Sequence, residues 1–264
     1  MRPVTEMPAE TARAVEVVFC DIDDTLTTEG RLPAEAYQAL EDLDAAGIAV
    51  APITGRPAGW CDLIARFWPV KGVVGENGAF YYAYDPLERK MIRSLHPVVE
   101  EAVAKPDRFD RIRRRIAREV PGAAISADQP FRLADLAIDF CEDVPPLPDG
   151  DVARIAAIFA EEGAEAKVSS IHVNGWFGRY DKLTTSRRFA EDILGLDIDA
   201  RNPAVVFVGD SPNDVPMLGF FDNSCGVANV EAFRGRLDAE PTWIADREGG
   251  AGFRRIADHI LKLR

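Results

Sequence analysis

Acidic side chains follow two short apolar runs of the sequence, and they are the residues most suited to chemistry. The segment DIDDT, residues 21–25, comes directly after the apolar run 15–20. Residues two apart in an extended chain face the same side, about 6–7 Å apart, so Asp21 and Asp23 can converge on one ion or phosphoryl group. An acidic turn at a strand end fits the same letters equally well, because aspartate favours turns through its local hydrogen bonds.

The second acidic segment is GDSPND, residues 209–214, which follows the apolar run 204–208. It brings Asp210, Asn213 and Asp214 within five residues. Carboxylate and amide oxygens are the ligands of hard cations, and a buried strand end is an unfavourable place for acids without a partner. We therefore favour a cation site here over a capped turn that only leads into a helix.

A third segment, TGR at residues 54–56, follows the apolar run 48–53. The hydroxyl of Thr54 and the backbone N–H of Gly55 suit a phosphate oxygen, and the start of a helix adds a favourable dipole. Taken alone, this segment is more typical of an ordinary turn. The segment becomes a candidate phosphate site because it follows a second predicted strand.

Short apolar runs alternate with helix-like segments along the chain, which predicts an α/β fold. Strands are expected at 15–20, 48–53 and 204–208, a hairpin over 73–82, and helices over 33–47, 59–67, from 182 and from 252. Between 85 and 178 the order becomes helix, strand, helix, strand, with a strand at 136–140 and a helix capped by Asp151. Parallel strands bind ligands at their carboxyl ends, so the three segments above are expected to meet there.

The resulting division has four parts. Residues 15–84 and 179–264 are predicted to form one Rossmann-like core with a parallel sheet. Residues 85–178 are predicted to form an inserted α+β domain, and residues 1–14 a loose tail. The tail sequence mixes proline, acids and small residues and lacks the apolar stretch of a signal peptide.

The net charge and the cysteines of the chain disfavour some classes of partner and site. The 264 residues carry a formal net charge of −13, which disfavours nucleic acid and anionic membranes as partners. The four cysteines have no paired spacing, so neither a zinc site nor a disulfide framework is indicated, and free thiols fit the cytoplasm. The sequence does not indicate an oligomeric state.

The segments 21–25, 54–56 and 209–214, in this order along the chain, with a lysine before the last of them, resemble the haloacid dehalogenase (HAD) superfamily. A long insertion between Thr54 and the lysine of the YDK segment at 180–182 is similar to the C2 (type IIB) cap. Such caps occur in sugar phosphatases of the Cof, sucrose-phosphatase, trehalose-phosphatase and mannosyl-3-phosphoglycerate phosphatase kinds. The segments GENG at 75–78 and GVAN at 226–229 are also similar to that group.

The resemblance implies a role for each matching residue. Asp21 would be the nucleophile, and Asp23 the acid that protonates the leaving oxygen and then activates water. Phosphate would be held by Thr54, Gly55, Lys182 and Asn213. Without the resemblance, a lysine in the first turn of a helix is most often only solvated.

The resemblance also implies Mg²⁺ as the cofactor. Its ligands would be Asp21, Asp210 and the backbone carbonyl of Asp23, with Asp214 supporting it through water. A divalent ion lowers the repulsion between an attacking carboxylate and a phosphate dianion. The sequence departs from the family at Asp24, where glycine is frequent.

The segment 169–176 alternates polar and apolar residues, which predicts a strand. His172, Asn174 and Trp176 would share one face, and Lys182 follows only six residues later. We therefore predict that this face of the cap contacts the substrate, although a lone histidine is as often structural.

The resulting prediction is a phosphatase that hydrolyses a small phosphorylated sugar or glycosylated metabolite through an aspartyl-phosphate. The alternatives are a phosphohexomutase of the same superfamily, which keeps the same aspartates, and a non-enzymatic metabolite-binding module. The binding module would be expected to lack a catalytic residue, and none is missing. The sequence does not identify the substrate.

Overall fold

The computed structural model describes residues 1–99 and 106–264 of the chain. The strands are β1 Arg2–Pro3, β2 Val17–Cys20, β3 Ala49–Pro52, β4 Val73–Gly75, β5 Phe80–Asp85, β6 Lys90–Leu95, β7 Ala124–Ile125, β8 Asp135–Asp139, β9 Glu165–Val168, β10 His172–Trp176, β11 Val205–Gly209, β12 Asn223–Gly226 and β13 Trp243–Ile244. The α-helices are α1 Ala9–Ala14, α2 Ala34–Ala45, α3 Ala58–Phe67, α4 Asp110–Glu119, α5 Asp149–Glu161, α6 Lys182–Phe189, α7 Val215–Phe220 and α8 Gly249–Leu263.

The core is a parallel sheet with the strand order β1-β13-β12-β11-β2-β3. Two neighbouring inner strands, β2 and β11, are buried along their whole length, as expected for the continuous apolar runs of a sheet covered on both faces. Cys20 pairs with Val208 at their carboxyl ends. This register sets the residues that follow, Asp21 and Gly209, side by side at one edge of the sheet.

Side chains of the central strands alternate between two apolar layers. Val18 and Val206 point into one layer, which also holds Leu40 of α2 and Phe253 of α8. Their neighbours Phe19 and Phe207 point into the other layer, with Phe189 of α6 and Phe221. The predicted α/β core is therefore confirmed, and both layers fix the strand ends in place.

A second, three-stranded sheet of order β4-β5-β6 confirms the predicted hairpin over 73–82. The bridge between Ile53 and Val74 joins it to the core sheet. Asp85 ends β5 and pairs with Lys90 of β6, so the expected start of the cap at residue 85 falls inside this hairpin. The division into core and cap stays a prediction, with the hairpin as a reason to begin the cap later.

The inserted region contains an antiparallel sheet of order β7-β8-β10-β9 with α4 and α5. It has an apolar cluster of its own, which includes Ile116 of α4, Phe159 of α5 and Val173 of β10. The predicted strand at 136–140 is confirmed as β8. The predicted cap residue of α5 is wrong, because the helix begins after Pro148 and Asp151 lies inside its first turn. Residues 100–105 of the predicted cap lie outside the described residues.

The N-terminal residues are ordered, which corrects the prediction of a loose tail. Strand β1 pairs with β13, and α1 follows it. Val4, Met7 and Ala12 are buried in the same apolar layer as α8. The burial of these three side chains holds the segment against the core.

Met7→Ala is expected to lower the free energy of unfolding by about 2–5 kcal/mol, the usual cost of removing a large core side chain. Denaturant unfolding of both proteins measures this difference. Glu6→Ala is the matched control, because the neighbouring Glu6 is exposed and should change stability by no more than about 0.5 kcal/mol. Equal stability of the Met7 variant and the unchanged protein would show that the segment does not pack as described.

Among the described residues, no helix combines the length and the apolar character needed to cross a membrane.

Candidate active site

Asp21 stands at the carboxyl end of β2 and is buried. Its backbone N–H donates to the Val208 carbonyl at 2.9 Å, so the β2–β11 pairing continues into the site. Its Oδ1 accepts the Ile22 backbone N–H at 2.8 Å, while its Oδ2 lies 3.1 Å from the Nζ of Lys182. The carboxylate is therefore held at one oxygen by the backbone and at the other by a buried cation.

Three buried carboxylates meet at this edge of the sheet. Oxygens of Asp21, Asp210 and Asp214 lie within 4.8 Å of one another. The Oδ1 of Asp210 accepts the Thr25 hydroxyl at 3.0 Å. Both oxygens of Asp214 are already engaged, since Oδ1 accepts Lys182 at 2.7 Å and Oδ2 accepts the Asp210 backbone N–H at 3.0 Å. Asp21 and Asp214 are thus engaged at both oxygens, whereas Asp210 accepts the Thr25 hydroxyl at one oxygen.

The charge of the cluster fits a divalent cation. Three carboxylates against one ammonium leave a formal charge of −2 among buried groups. Burial, as the main cause, raises the pKa of Asp21 to about 8 and that of Asp210 well above its ordinary value. Burial alone would lower the pKa of Lys182, but the charges of Asp21 and Asp214 outweigh it and raise this pKa. Lys182 alone therefore does not neutralise the three carboxylates of the cluster.

The Asp23 side chain is not part of this cluster. Its carboxylate pairs with Arg56. The Nε of Arg56 donates to both oxygens at 3.0 Å, and its Nη2 donates to Oδ1 at 2.8 Å. The metal ligand expected from Asp23 is its backbone carbonyl, and the pairing of the side chain with Arg56 does not contradict that expectation. The pairing shows that the carboxylate of Asp23 binds Arg56 and not the cluster of Asp21, Asp210 and Asp214.

Backbone conformation accounts for the departure at Asp24. This residue has φ 55°, the left-handed region that glycine enters freely and aspartate or asparagine tolerate. A glycine would adopt the turn without strain, and aspartate is among the few other residues that can. Its presence here therefore leaves the turn after Asp23 unchanged.

The segment 54–56 forms a tight loop at the end of β3. The Thr54 hydroxyl accepts the Arg56 backbone N–H at 3.0 Å. A Cβ on Gly55 would lie 3.2 Å from the Nδ2 of Asn77, closer than an ordinary contact. A side chain at residue 55 would therefore require the buried Asn77, which sequence reasoning left without a role, to shift slightly.

Ser211 and Asn213 occupy the turn between β11 and α7. The Ser211 side chain and Asp214 form a capping box at the short turn Pro212–Asp214. The Ser211 hydroxyl donates to the Oδ1 of Asn213 at 2.7 Å. This bond fixes the amide of Asn213, so its nitrogen remains available at the cavity.

A narrow pocket between the core sheet and the inserted region joins these elements. From the core it is lined by Asp21, Asp23, Gly55, Arg56, Ser211 and Asn213. From the cap it is lined by His172, Asn174 and the segment 169–171. The structure thus brings two of the three predicted cap residues to the site.

The third, Trp176, does not line this cavity. It shares the face of β10 with His172 and Asn174, but it lies at the far end of the strand and stacks on Tyr180 with ring centroids 5.2 Å apart. It is buried in the apolar layer that also holds Phe80. Trp176 therefore lies on the predicted face of β10, but too far along the strand to line the pocket.

Sequence reasoning missed a buried polar network behind Asn174. The amide Nδ2 of Asn174 donates to Asp135 at 3.0 Å. Asp135 also accepts Arg132, which reaches across to donate to the Gly55 carbonyl at 2.9 Å. Glu76, in the GENG segment, accepts backbone N–H groups from Ala58 and from residues 133–135. Burial raises the pKa of Glu76 to about 8.

One part of the chain matches a known protein family. Residues 18–105, which contain the segments 21–25 and 54–56 and the hairpin, match the model of the haloacid dehalogenase-like hydrolases. Over these residues the chain is similar to the haloacid dehalogenase-like hydrolases. The predicted superfamily and the prediction of a hydrolytic enzyme are confirmed.

Similar proteins cover almost the whole length of the hydrolase. It is 24% identical over 247 residues to a protein named phosphoglycolate phosphatase from Methanothrix thermoacetophila, covering 93% of this chain and 97% of that protein. The solved structure of Thermoplasma acidophilum 0175 has a TM-score of 0.69 at 16% identity, covering 95% of this chain and 99% of that one. The sucrose-phosphatase of Synechocystis sp. PCC6803, solved with sucrose and phosphate, has a TM-score of 0.63 at 15% identity, covering 92% and 97%. These structural likenesses confirm the predicted fold class of the hydrolase.

Proposed function

We propose that this hydrolase is a Mg²⁺-dependent phosphatase that cleaves a phosphomonoester of a small sugar or glycosylated metabolite through an aspartyl-phosphate. The observation that carries the proposal is the buried group of Asp21, Lys182, Asp210 and Asp214 beneath a polar cavity. The relatives named phosphoglycolate phosphatase and sucrose-phosphatase support the same reaction class.

The proposed reaction has two steps. An Oδ of Asp21 attacks the phosphorus, the bond from phosphorus to the ester oxygen breaks, and Asp23 gives its proton to the leaving oxygen. A water then attacks the phosphorus, gives a proton to Asp23, and releases phosphate as the bond to Asp21 breaks. Lys182, Thr54, Gly55 and Asn213 hold the phosphate oxygens between these steps.

Asp21, Asp210 and the backbone carbonyl of Asp23 would hold Mg²⁺, with Asp214 acting through water. The ion, when bound, supplies positive charge that reduces repulsion between the nucleophile and the phosphate. The net charge of −2 in the cluster is the feature of the chain that fits it. The shorter contact of Lys182 with Asp214, 2.7 Å against 3.1 Å with Asp21, supports a role of Asp214 outside the first coordination shell.

The cap side of the cavity favours a substrate rich in hydroxyl groups. Because the Asn174 Nδ2 is committed to Asp135, its Oδ1 is the atom left to face a ligand, and an amide oxygen accepts hydrogen bonds. Ser169, Ser170 and His172 add further polar atoms. A sugar supplies the matching donors, whereas the carboxylate of a phosphoglycolate would meet another acceptor at Asn174.

A screen of phosphorylated metabolites with and without Mg²⁺ tests the proposed function. Release of inorganic phosphate from a sugar phosphate, only with Mg²⁺, is the expected result. Transfer of the phosphoryl group to a second position of a hexose phosphate, without free phosphate, would instead identify a mutase. Saturable binding without turnover of any substrate would identify a binding module.

His172→Ala and Asn174→Ala are expected to lower kcat/KM for the sugar phosphate found in the screen by the equivalent of about 1–3 kcal/mol. This is the cost of a lost polar contact. The same variants should hydrolyse p-nitrophenyl phosphate almost normally, since its leaving group offers no hydroxyl to the cap. Steady-state kinetics on both esters measures the difference.

Trp176→Phe provides the comparison, because this residue is stacked on Tyr180 away from the cavity and should not shift the ratio of the two activities. Equal losses on the sugar phosphate and on p-nitrophenyl phosphate would assign His172 and Asn174 to structure or catalysis. The determinants of specificity would then lie elsewhere in the cap.

A further inference from the structure

Arg56 is held by acids of the core and of the cap at the same time. Its fork binds both oxygens of Asp23, and it also donates to Glu142 at 2.8 and 3.4 Å. Its side chain is 5% exposed and stacks on Trp60, 4.4 Å from the ring centroid. A planar guanidinium fixed on three sides has one orientation, and the carboxylate bound to it inherits that orientation.

Glu142 is placed rigidly by its own loop. The buried Asp139 at the end of β8 accepts the backbone N–H groups of Cys141, Glu142 and Asp143 at 2.8–2.9 Å. The second carboxylate oxygen of Glu142 lies 2.9 Å from the Nε2 of His172. Contact with His172, and then with Arg56, lowers the pKa of Glu142 to about 2, so a fixed negative charge faces Arg56 from the cap.

We propose that Glu142 is a positioning residue for Asp23 and that it acts through Arg56. The inference rests on the proposed function, in which Asp23 protonates the leaving oxygen. With the cap in this position, Glu142 keeps the guanidinium from swinging away, and the guanidinium keeps the carboxylate of Asp23 directed at the cavity beside Asp21. From the same side the Oδ2 of Asp128 lies 3.7 Å from the Nη1 of Arg56, a longer contact than the 2.8 Å bond to Glu142, so Glu142 is the closer of the two acids.

The role predicts a dependence on the leaving group. A general acid matters most when the leaving oxygen is a strong base, and contributes roughly 10²–10⁴-fold in such reactions. Phenyl phosphate and p-nitrophenyl phosphate have nearly the same size, but nitrophenolate leaves far more easily. Loss of alignment at Asp23 should therefore slow phenyl phosphate much more than p-nitrophenyl phosphate.

Glu142→Ala is expected to lower kcat about tenfold or more on phenyl phosphate and less than about threefold on p-nitrophenyl phosphate, with KM nearly unchanged for both. Glu142→Gln keeps an oxygen that faces Arg56 and should recover part of the loss. In the Asp23→Asn background, Glu142→Ala should cause no further selective loss, because residues that act through one another are not additive.

Glu119→Ala is the matched control. Glu119 is also a cap glutamate paired with arginines, with Arg115 at 3.2 Å and Arg118 at 2.7 Å, but it lies on α4 away from the cavity. Its variant should leave both esters unaffected. Thermal unfolding of the two glutamate variants checks that neither change acts through loss of folded protein.

Equal losses on both esters, a change confined to KM, or additivity with Asp23→Asn would overturn the positioning role while leaving the phosphatase itself intact. If the unchanged protein hydrolyses neither ester nor any sugar phosphate, the proposed function fails. Hydrogen exchange then tests the contact itself. Backbone amides near Asp23 and Arg56 should exchange faster in Glu142→Ala than in Glu119→Ala, and identical exchange would overturn the inference as well.

Discussion

Asp21→Asn is expected to abolish turnover, with a loss of roughly 10⁴-fold or more in kcat, since the reaction loses its nucleophile. An amide has the same shape, and its oxygen can still accept the Ile22 backbone N–H that Asp21 accepts at 2.8 Å. The fold should therefore persist. Phosphate release and labelling of the protein by a phosphoryl donor measure the effect, and no phosphorylated protein should accumulate in the variant.

Asp24→Asn is the matched control in the same loop. Asp24 has φ 55°, a conformation that asparagine tolerates as well as aspartate, and it has no role in the proposed steps. Its variant should keep activity within about tenfold of the unchanged protein. A phosphorylated protein formed by Asp21→Asn would show that the nucleophile is another residue.

The meeting of Asp21 with Asp210 could be predicted from the sequence because parallel strands bring their carboxyl ends to one edge. Two uninterrupted apolar runs were enough to place β2 and β11, and their pairing fixes the acids that follow. Lys182 was placed only by the resemblance to a family. A lysine in the first turn of a helix carries no signal that it will be buried against Asp21 and Asp214.

Contacts that cross from core to cap could not be predicted in this way. Arg56 meets Glu142, 86 residues further along the chain, and Arg132 meets Gly55, 77 residues back. Local spacing and periodicity describe one element at a time and give no information about which surfaces of two domains will face each other. Arg56 also binds Asp23, and Arg132 also binds Asp135, so the surroundings of these two carboxylates could not be predicted from the sequence.

The predictions for the N-terminal residues and for Trp176 differ from the structure for similar reasons. The pairing of β1 with β13 joins Arg2 to Trp243, a long-range contact that a two-residue strand cannot signal. Trp176 was predicted from the two-residue period of a strand, which gives the face correctly. The period does not say how far along that face the cavity extends, and Trp176 lies beyond it against Tyr180.

Removal of Mg²⁺ by a chelator is expected to abolish activity, and Ca²⁺ is expected to inhibit. The cluster of Asp21, Asp210 and Asp214 has one cation, Lys182, against three carboxylates, so repulsion would hinder approach of a phosphate dianion without added charge. Ca²⁺ takes more ligands at about 2.3–2.6 Å, against 2.0–2.1 Å for Mg²⁺. The looser shell could engage both oxygens of Asp21 and remove its line of attack.

Metal binding can be separated from catalysis in the same experiment. Mg²⁺ should raise the midpoint of thermal unfolding, because an ion that binds only the folded protein stabilises it. In Asp210→Asn this shift should be lost, since Asp210 is the acid held ready by the Thr25 hydroxyl at 3.0 Å. Asp222→Asn, an exposed acid after α7, should keep the shift. Full activity in excess chelator, or equal rates with both ions, would rule out a magnesium site at the ends of β2 and β11.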